Sequence, residues 1–210
     1  MMKKLLSIVV LLTISSLTLQ AQNNTDAQSI LDKATAKVQS AKGINANFSL
    51  IQKDKSDHVI SNSKGILKIK GSKYYIKQEE NEIFCNGIQI WNFDGSNEVT
   101  IAKTDPDEDE LSPQQILTGF NKKDFEIKLL SSTGTSYQVQ LTPVDKRKNF
   151  KQVVLYFNKS TSLVSKAVIT DKTNAVTEIS FINISLNTSF PDSQFVFDTA
   201  KHPGVEVINQ

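Results

Sequence analysis

From Ile44 onward the apolar residues of this chain recur with a period of two, the spacing that puts alternate side chains on one face of a strand. Ile44, Ala46, Phe48 and Leu50 alternate with Asn45, Asn47 and Ser49, and Gly65, Leu67 and Ile69 alternate with Lys68 and Lys70. Lys73 to Lys77 reads as a strand whose faces are blurred by consecutive Tyr74, Tyr75 and Ile76; Val99 and Ile101 mark another. The alternation continues through Phe125, Ile127 and Leu129, then Tyr137, Val139 and Leu141, then Val153, Leu155 and Phe157, then Leu163 to Thr170. Asp171 to Asn174 reads as a turn. Between Ile179-Phe181 and Ile182-Ile184-Leu186 the apolar phase flips, which predicts a β-bulge.

Two stretches follow the helical period instead. Ile30, Leu31, Ala34, Val38 and Ala41 lie on one helical face, behind a capping box at Thr25 to Gln28 and ahead of a stop at Gly43. Ser112-Pro113 starts a shorter helix, with Ile116, Leu117 and Phe120 on its apolar side and Gly119 at its end. One helix, many sequential antiparallel strands and one short inserted helix make a mainly β domain of α+β type.

The stretch Glu82 to Phe93 carries the strongest hairpin signal, Asn86-Gly87 between two apolar runs, for which a type I′ turn is expected. Trp91, the single tryptophan, shares a face with Phe93, and Ile88 and Ile90 take the other. Apolar on both faces, the hairpin is expected at the centre of the fold. It is either a two-sided core strand or a strand with one face lining a cavity for an apolar ligand.

The first residues set a compartment. Lys3-Lys4, an apolar run from Leu5 that weakens toward Leu19, and Gln20-Ala21 have the order of a secretory signal, with cleavage expected after Ala21. The run is too short and too often broken by Ser and Thr for a membrane span. No cysteine follows it to take a lipid, so an exported, soluble domain over residues 22–210 is expected.

Charge and chemistry narrow the function. The chain has 24 Lys and Arg against 22 Asp and Glu, and without Lys3 and Lys4 the two are equal at 22. A neutral domain has no basic footprint for nucleic acid and no polybasic patch for a membrane surface. Cys85 has no second cysteine to pair with and reads as a small buried hydrophobe. His58 lies in a polar loop and His202 near the end, neither with a local nucleophile or a metal-ligand motif, so no enzyme activity, metal or cofactor is expected. Asp105 to Glu110 lacks the glycine and the closing glutamate of a calcium loop and reads as a solvated loop, as does the basic run Lys146-Arg147-Lys148.

The end of the chain is more specific. Phe195-Val196-Phe197 and Pro203-Gly204-Val205-Glu206-Val207 resemble the terminal F-x-F…G-V-D/E-V signature of the periplasmic outer-membrane lipoprotein carriers, the LolA family. Phe48 to Gln52, Gly65-Ile66-Leu67, Asn86 to Phe93 (the family's D-G-x-x-L-W-x-Y), Val99-Thr100, Pro113…Ile116-Leu117 and Tyr137…Pro143 follow in family order.

The resemblance implies an incomplete antiparallel β-barrel whose open side is closed by helices, enclosing an apolar cavity. It implies a monomeric carrier that takes acylated lipoproteins from an inner-membrane export complex to an outer-membrane acceptor. The cavity residues so implied are Phe48, Leu50, Leu67, Ile69, Tyr75, Trp91, Phe93, Ile116, Leu117, Leu155 and Phe157. Two departures stand out. The arginine that ties the family's lid shut falls at Gly71, leaving Lys70 or Lys73 as stand-ins, and the family's tryptophan two residues beyond Tyr75 is Lys77. Restoring the arginine is expected to slow uptake and raise stability. A carrier or sensor of another lipid on the same fold, and a structural β domain without a cavity, are the alternative readings.

Overall fold

The computed structural model describes residues 26–104 and 111–210. A helix over residues 26–39 (α1) leads into β1 (Ile44–Lys53), β2 (Val59–Lys70), β3 (Lys73–Gln78), β4 (Asn81–Cys85), β5 (Gln89–Phe93) and β6 (Glu98–Lys103). Then come α2 (Pro113–Thr118), β7 (Phe125–Ser131), β8 (Ser136–Pro143), β9 (Phe150–Asn158), β10 (Val164–Asp171), β11 (Val176–Leu186) and β12 (Glu206–Asn209). The strands form one sheet in the order β12-β6-β5-β4-β3-β2-β1-β11-β10-β9-β8-β7. Its pairs are antiparallel apart from β12, which lies parallel to β6. The ends do not meet, so the barrel is incomplete.

Register sorts the side chains into two faces. Phe48 stands opposite Gly65 on one side and Phe181 on the other, with Ala46 opposite Leu67 and Leu50 opposite Ile179. The same face continues through Ala167, Leu155 and Val139. Onto this inner face α1 lays Ala27, Leu31, Ala34 and Val38, and α2 lays Ile116 and Leu117, giving one continuous core. Gly65 makes room within it: a Cβ there would sit 2.3 Å from the Phe48 ring and 2.5 Å from the Lys77 carbonyl. The predicted bulge is present. Asn45 faces Ser185 and Asn47 faces Ile182, so β11 holds one extra residue, and Asn183 adopts a φ of 54° there.

Two expectations change. The Trp91 hairpin is not central but near one edge of the sheet, with Ile88 75% exposed at its tip. Its turn differs as well. Asn86 pairs with Gln89 and only Gly87, the first central residue, has positive φ (93°), so the type I′ requirement at both central positions is not met. The Asn86 side chain accepts from the amides of Ile88 and Gln89, 2.9 Å each, and stabilises this alternative. Gly43 likewise does not cap α1, which ends at residue 39. Its missing Cβ admits the Thr188 backbone, whose amide donates to the Gly43 carbonyl at 3.0 Å.

The outer face of β3 to β6 is covered by the chain's own C-terminal segment. Tyr75, Phe84 and Trp91 are successive register partners, and Phe197 packs against Phe84 and Phe93. Lys70 and Lys73 both reach Asp192 of this segment, at 2.8 and 2.9 Å, and Lys68 lies over Tyr75 and Phe190. Those two lysines hold the Asp192 carboxyl down at about 2, Lys70 more strongly than Lys73. A depressed carboxyl pKa adds stability above its ordinary value of 3.8, and the contribution is lost as pH falls through about 2. A carbon-detected NMR titration of Asp192 should give that low midpoint. Lys70→Met should bring it back toward the ordinary value.

Candidate functional site

The helices covering the inner face are short. α2 has six residues, fewer than an isolated helix needs to persist in water, so packing and caps hold it. Its caps are complete: Ser112 accepts from the Gln115 amide, the Gln115 side chain accepts from the Ser112 amide, and Pro113 occupies the first turn. At its other end Gly119, at φ 102°, passes so close to α1 that a Cβ would meet Thr35 Oγ1 at 2.8 Å. The two helices thus meet over the sheet.

A cavity of about 370 Å³ opens where they meet the ends of β1 and β2. Val38, Gln39 and Ala41 line it from α1 and just beyond, Gln114 and Thr118 from α2, and Gly43, Ile44, Ile69 and Gly71 from the sheet side. Its lining combines apolar side chains with neutral amide and hydroxyl groups. By contrast, the space among Leu31, Phe120, Phe125 and Leu141, at the β7–β8 end, is only about 10 Å³. Of these two spaces, the one at the α1–α2 junction has room for a guest.

Of the residues singled out from the sequence, Phe48, Leu67, Ile69, Ile116, Leu117, Leu155 and Phe157 are buried together in the inner core, and Leu50 packs half-buried against it. Ile69 alone among them lines the cavity. Tyr75, Trp91 and Phe93 lie on the opposite face. Trp91 and Phe93 join Val99 and Phe197 in a separate cluster. The Tyr75 hydroxyl donates to Glu82 Oε2 at 2.6 Å, and burial, followed by this bond, pushes its pKa well up. Sequence reasoning missed Gln39, Gln114 and Thr118, whose polar character hid them. The spacing of Gln114 and Thr118 at i and i+4 could have placed them on one face of α2.

The remaining candidates stay apart from the cavity. His58 sits in the exposed β1–β2 turn beside Asp54 (3.2 Å), and His202 packs against Phe93 and Phe197, both ring pairs at 4.6 Å. Burial raises the Cys85 thiol. No group of three metal-ligating side chains occurs among the described residues, and Asp105 to Glu110 lies outside them.

Gly71 has a φ of 61°, and nothing lies within 4 Å of where its Cβ would be. Neither lysine stands in for the missing arginine across the lid, because Lys70 and Lys73 are both committed to Asp192 on the outer face. Lys77 pairs with Glu82 at 3.0 Å.

Residues 39–198 match the family described as outer membrane lipoprotein carrier protein LolA. An outer-membrane lipoprotein carrier protein of Nitrosospira multiformis is 27% identical over 180 residues, covering 82% of this chain and 85% of the relative. An uncharacterised conserved protein of Thermus thermophilus has a similar fold, with a TM-score of 0.59 at 12% identity over 88% of this chain and 99% of its own. A LolA superfamily protein of Nitrosomonas europaea aligns over 82% of this chain and 98% of its own, with a TM-score of 0.48 and 19% identity.

Separation of the faces gives opposite expectations for two substitutions. Trp91→Ala should cost about 3–5 kcal/mol in denaturant unfolding yet leave affinity for a fluorescent apolar probe unchanged. Ile116→Glu, which puts a charge under α2, should weaken probe binding by at least about tenfold. Gly71→Arg should fill the cavity mouth and slow probe uptake. It should lower rather than raise the melting temperature, because a left-handed φ costs an L-residue about 1–2 kcal/mol. Stopped-flow uptake and thermal melts of the same variant check both effects.

Proposed function

The chain belongs to the LolA family of outer membrane lipoprotein carrier proteins, and on that premise we propose that it carries acylated lipoproteins, holding their acyl chains against the inner face beneath α1 and α2. The observation that carries this reading is the cavity at the α1–α2 junction, continuous with the apolar inner core and roofed by a helix of six residues. Shielding apolar surface is the chemistry this fold offers. At about 0.8 kcal/mol per buried methylene, ten methylenes contribute roughly 8 kcal/mol, which surface ion pairs of under about 1 kcal/mol each do not match.

A carrier must also release. A short lid held by packing and caps can give way without unfolding the sheet, whose strands are hydrogen-bonded to their neighbours in one continuous order. In this reading a signal peptide ending at Ala21 sends the protein to the periplasm, where it loads from an inner-membrane export complex and unloads at the outer membrane. Among the described residues no helix is long and apolar enough to cross a membrane.

Native mass spectrometry of the protein purified from its own periplasm tests the proposal. The expected spectrum has a chain beginning at Gln22 and a population carrying a triacylated protein or peptide, absent from the Ile116→Glu variant. A spectrum with a phospholipid or free pigment precursor in place of any acylated polypeptide would replace this reading with that of a carrier for another lipid.

A further inference from the structure

An open sheet leaves two strands with an unpaired edge, and at one end that strand is β7. The direction of its backbone groups follows from one hydrogen bond. The Val144 amide donates to the Asp124 carbonyl at 2.9 Å, framing Phe125 and Pro143 as a non-hydrogen-bonded pair. Ile127–Leu141 and Leu129–Val139 follow at the same parity. The amides and carbonyls of Ile127 and Leu129, and the carbonyl of Phe125, therefore point away from β8, toward the open edge, while the Phe125 amide donates to the Lys122 carbonyl in the turn before the strand. Glu126 and Lys128 are exposed on the outer face between them.

The order of these residues, Phe-Glu-Ile-Lys-Leu, is self-complementary. An antiparallel two-fold pairing centred on Ile127 sets Phe125 opposite Leu129 of a second copy, and Glu126 opposite its Lys128, twice over. A sheet edge protected against self-pairing carries like charges at such positions, because opposed like charges destabilise a ladder. This edge carries opposite ones. We propose that β7 is a self-association edge, joining two copies of this chain about a two-fold axis through Ile127 into one continuous sheet. The inner apolar rows of the two copies then meet at Phe125 and Leu129. The strip is narrower than a standard protein interface, so the dimer is weak and forms at raised concentration, unlike the monomer expected from the sequence. The inference does not depend on the carrier reading.

Sedimentation equilibrium of the mature protein over a wide concentration range tests it. The native chain should show a monomer–dimer equilibrium. Glu126→Lys and Lys128→Glu should each raise the dissociation constant by about tenfold, since each replaces two attractive pairs with two repulsive ones. The double exchange should restore it, and so should an equimolar mixture of the two single variants, whose edges complement each other. Thermal melts serve as the folding control, because both side chains are exposed. A native chain that stays monomeric throughout, or a dimer indifferent to these charges, would overturn the proposal.

Discussion

Everything in this molecule depends on an imbalance of cover. One sheet presents an inner face that is apolar from β3 across to β7, and the two helices α1 and α2 have to roof it. Close packing over Leu31, Ile127 and Leu141 uses up their cover at the β7–β8 end. At the other end α1 has stopped, α2 is a turn and a half long, and a cavity remains. Sheet rigidity and lid weakness thus come from the same arrangement. The strands hold one another, whereas the lid is held by the core it covers, by the caps of α2 and by two exposed contacts of α1, Lys37 to the Thr161 carbonyl and Asp32 to Lys122.

The outer face obeys a different rule. Its aromatic residues are covered by the chain's own last residues, with Asp192 held by two lysines and Phe195 fully buried. Ile182 points outward, 58% exposed, and the extra residue Asn183 returns Ile184 and Leu186 to the inner face just before the chain leaves β11 for this crossing. β12 then runs parallel to β6 because the segment between β11 and β12 crosses the face instead of turning back as a hairpin. Aromatic mass on this face is structural. It marks where the chain closes on itself, away from the cavity.

Much of this was legible in the sequence because period-two alternation survives burial of one face. The α1 stripe, the Ser112-Pro113 start of α2 and the bulge could be read from the residues themselves, whereas the incomplete barrel came only from the family resemblance. The Trp91 hairpin was misplaced for a definite reason. Apolar residues on both faces of a strand mean that both faces are covered, but the pattern does not say by what. Here one cover is the C-terminal segment, more than a hundred residues farther along the chain at Phe197, so Trp91 was grouped with the cavity it backs onto. Of the cavity lining, Gln39, Gln114, Thr118 and two glycines carry no apolar signal, and the apolar Val38, Ala41 and Ile44 were read as core positions rather than cavity ones. Gly71 was the exception, noticed through what it replaces in the family pattern. Its lysine neighbours proved to be occupied elsewhere.

The central claim is that an acyl chain lies against the inner face and never touches the outer one. Isoleucines on both faces allow a direct measurement. Ile69, Ile116 and Ile179 belong to the inner core, whereas Ile66, Ile101 and Ile182 lie on the outer side of the sheet. Methyl NMR spectra recorded with a spin-labelled N-acyl peptide should show broadening of the first three and leave the second three sharp. Broadening at Ile101 without change at Ile69 and Ile116 would place the guest under the C-terminal segment and contradict the account.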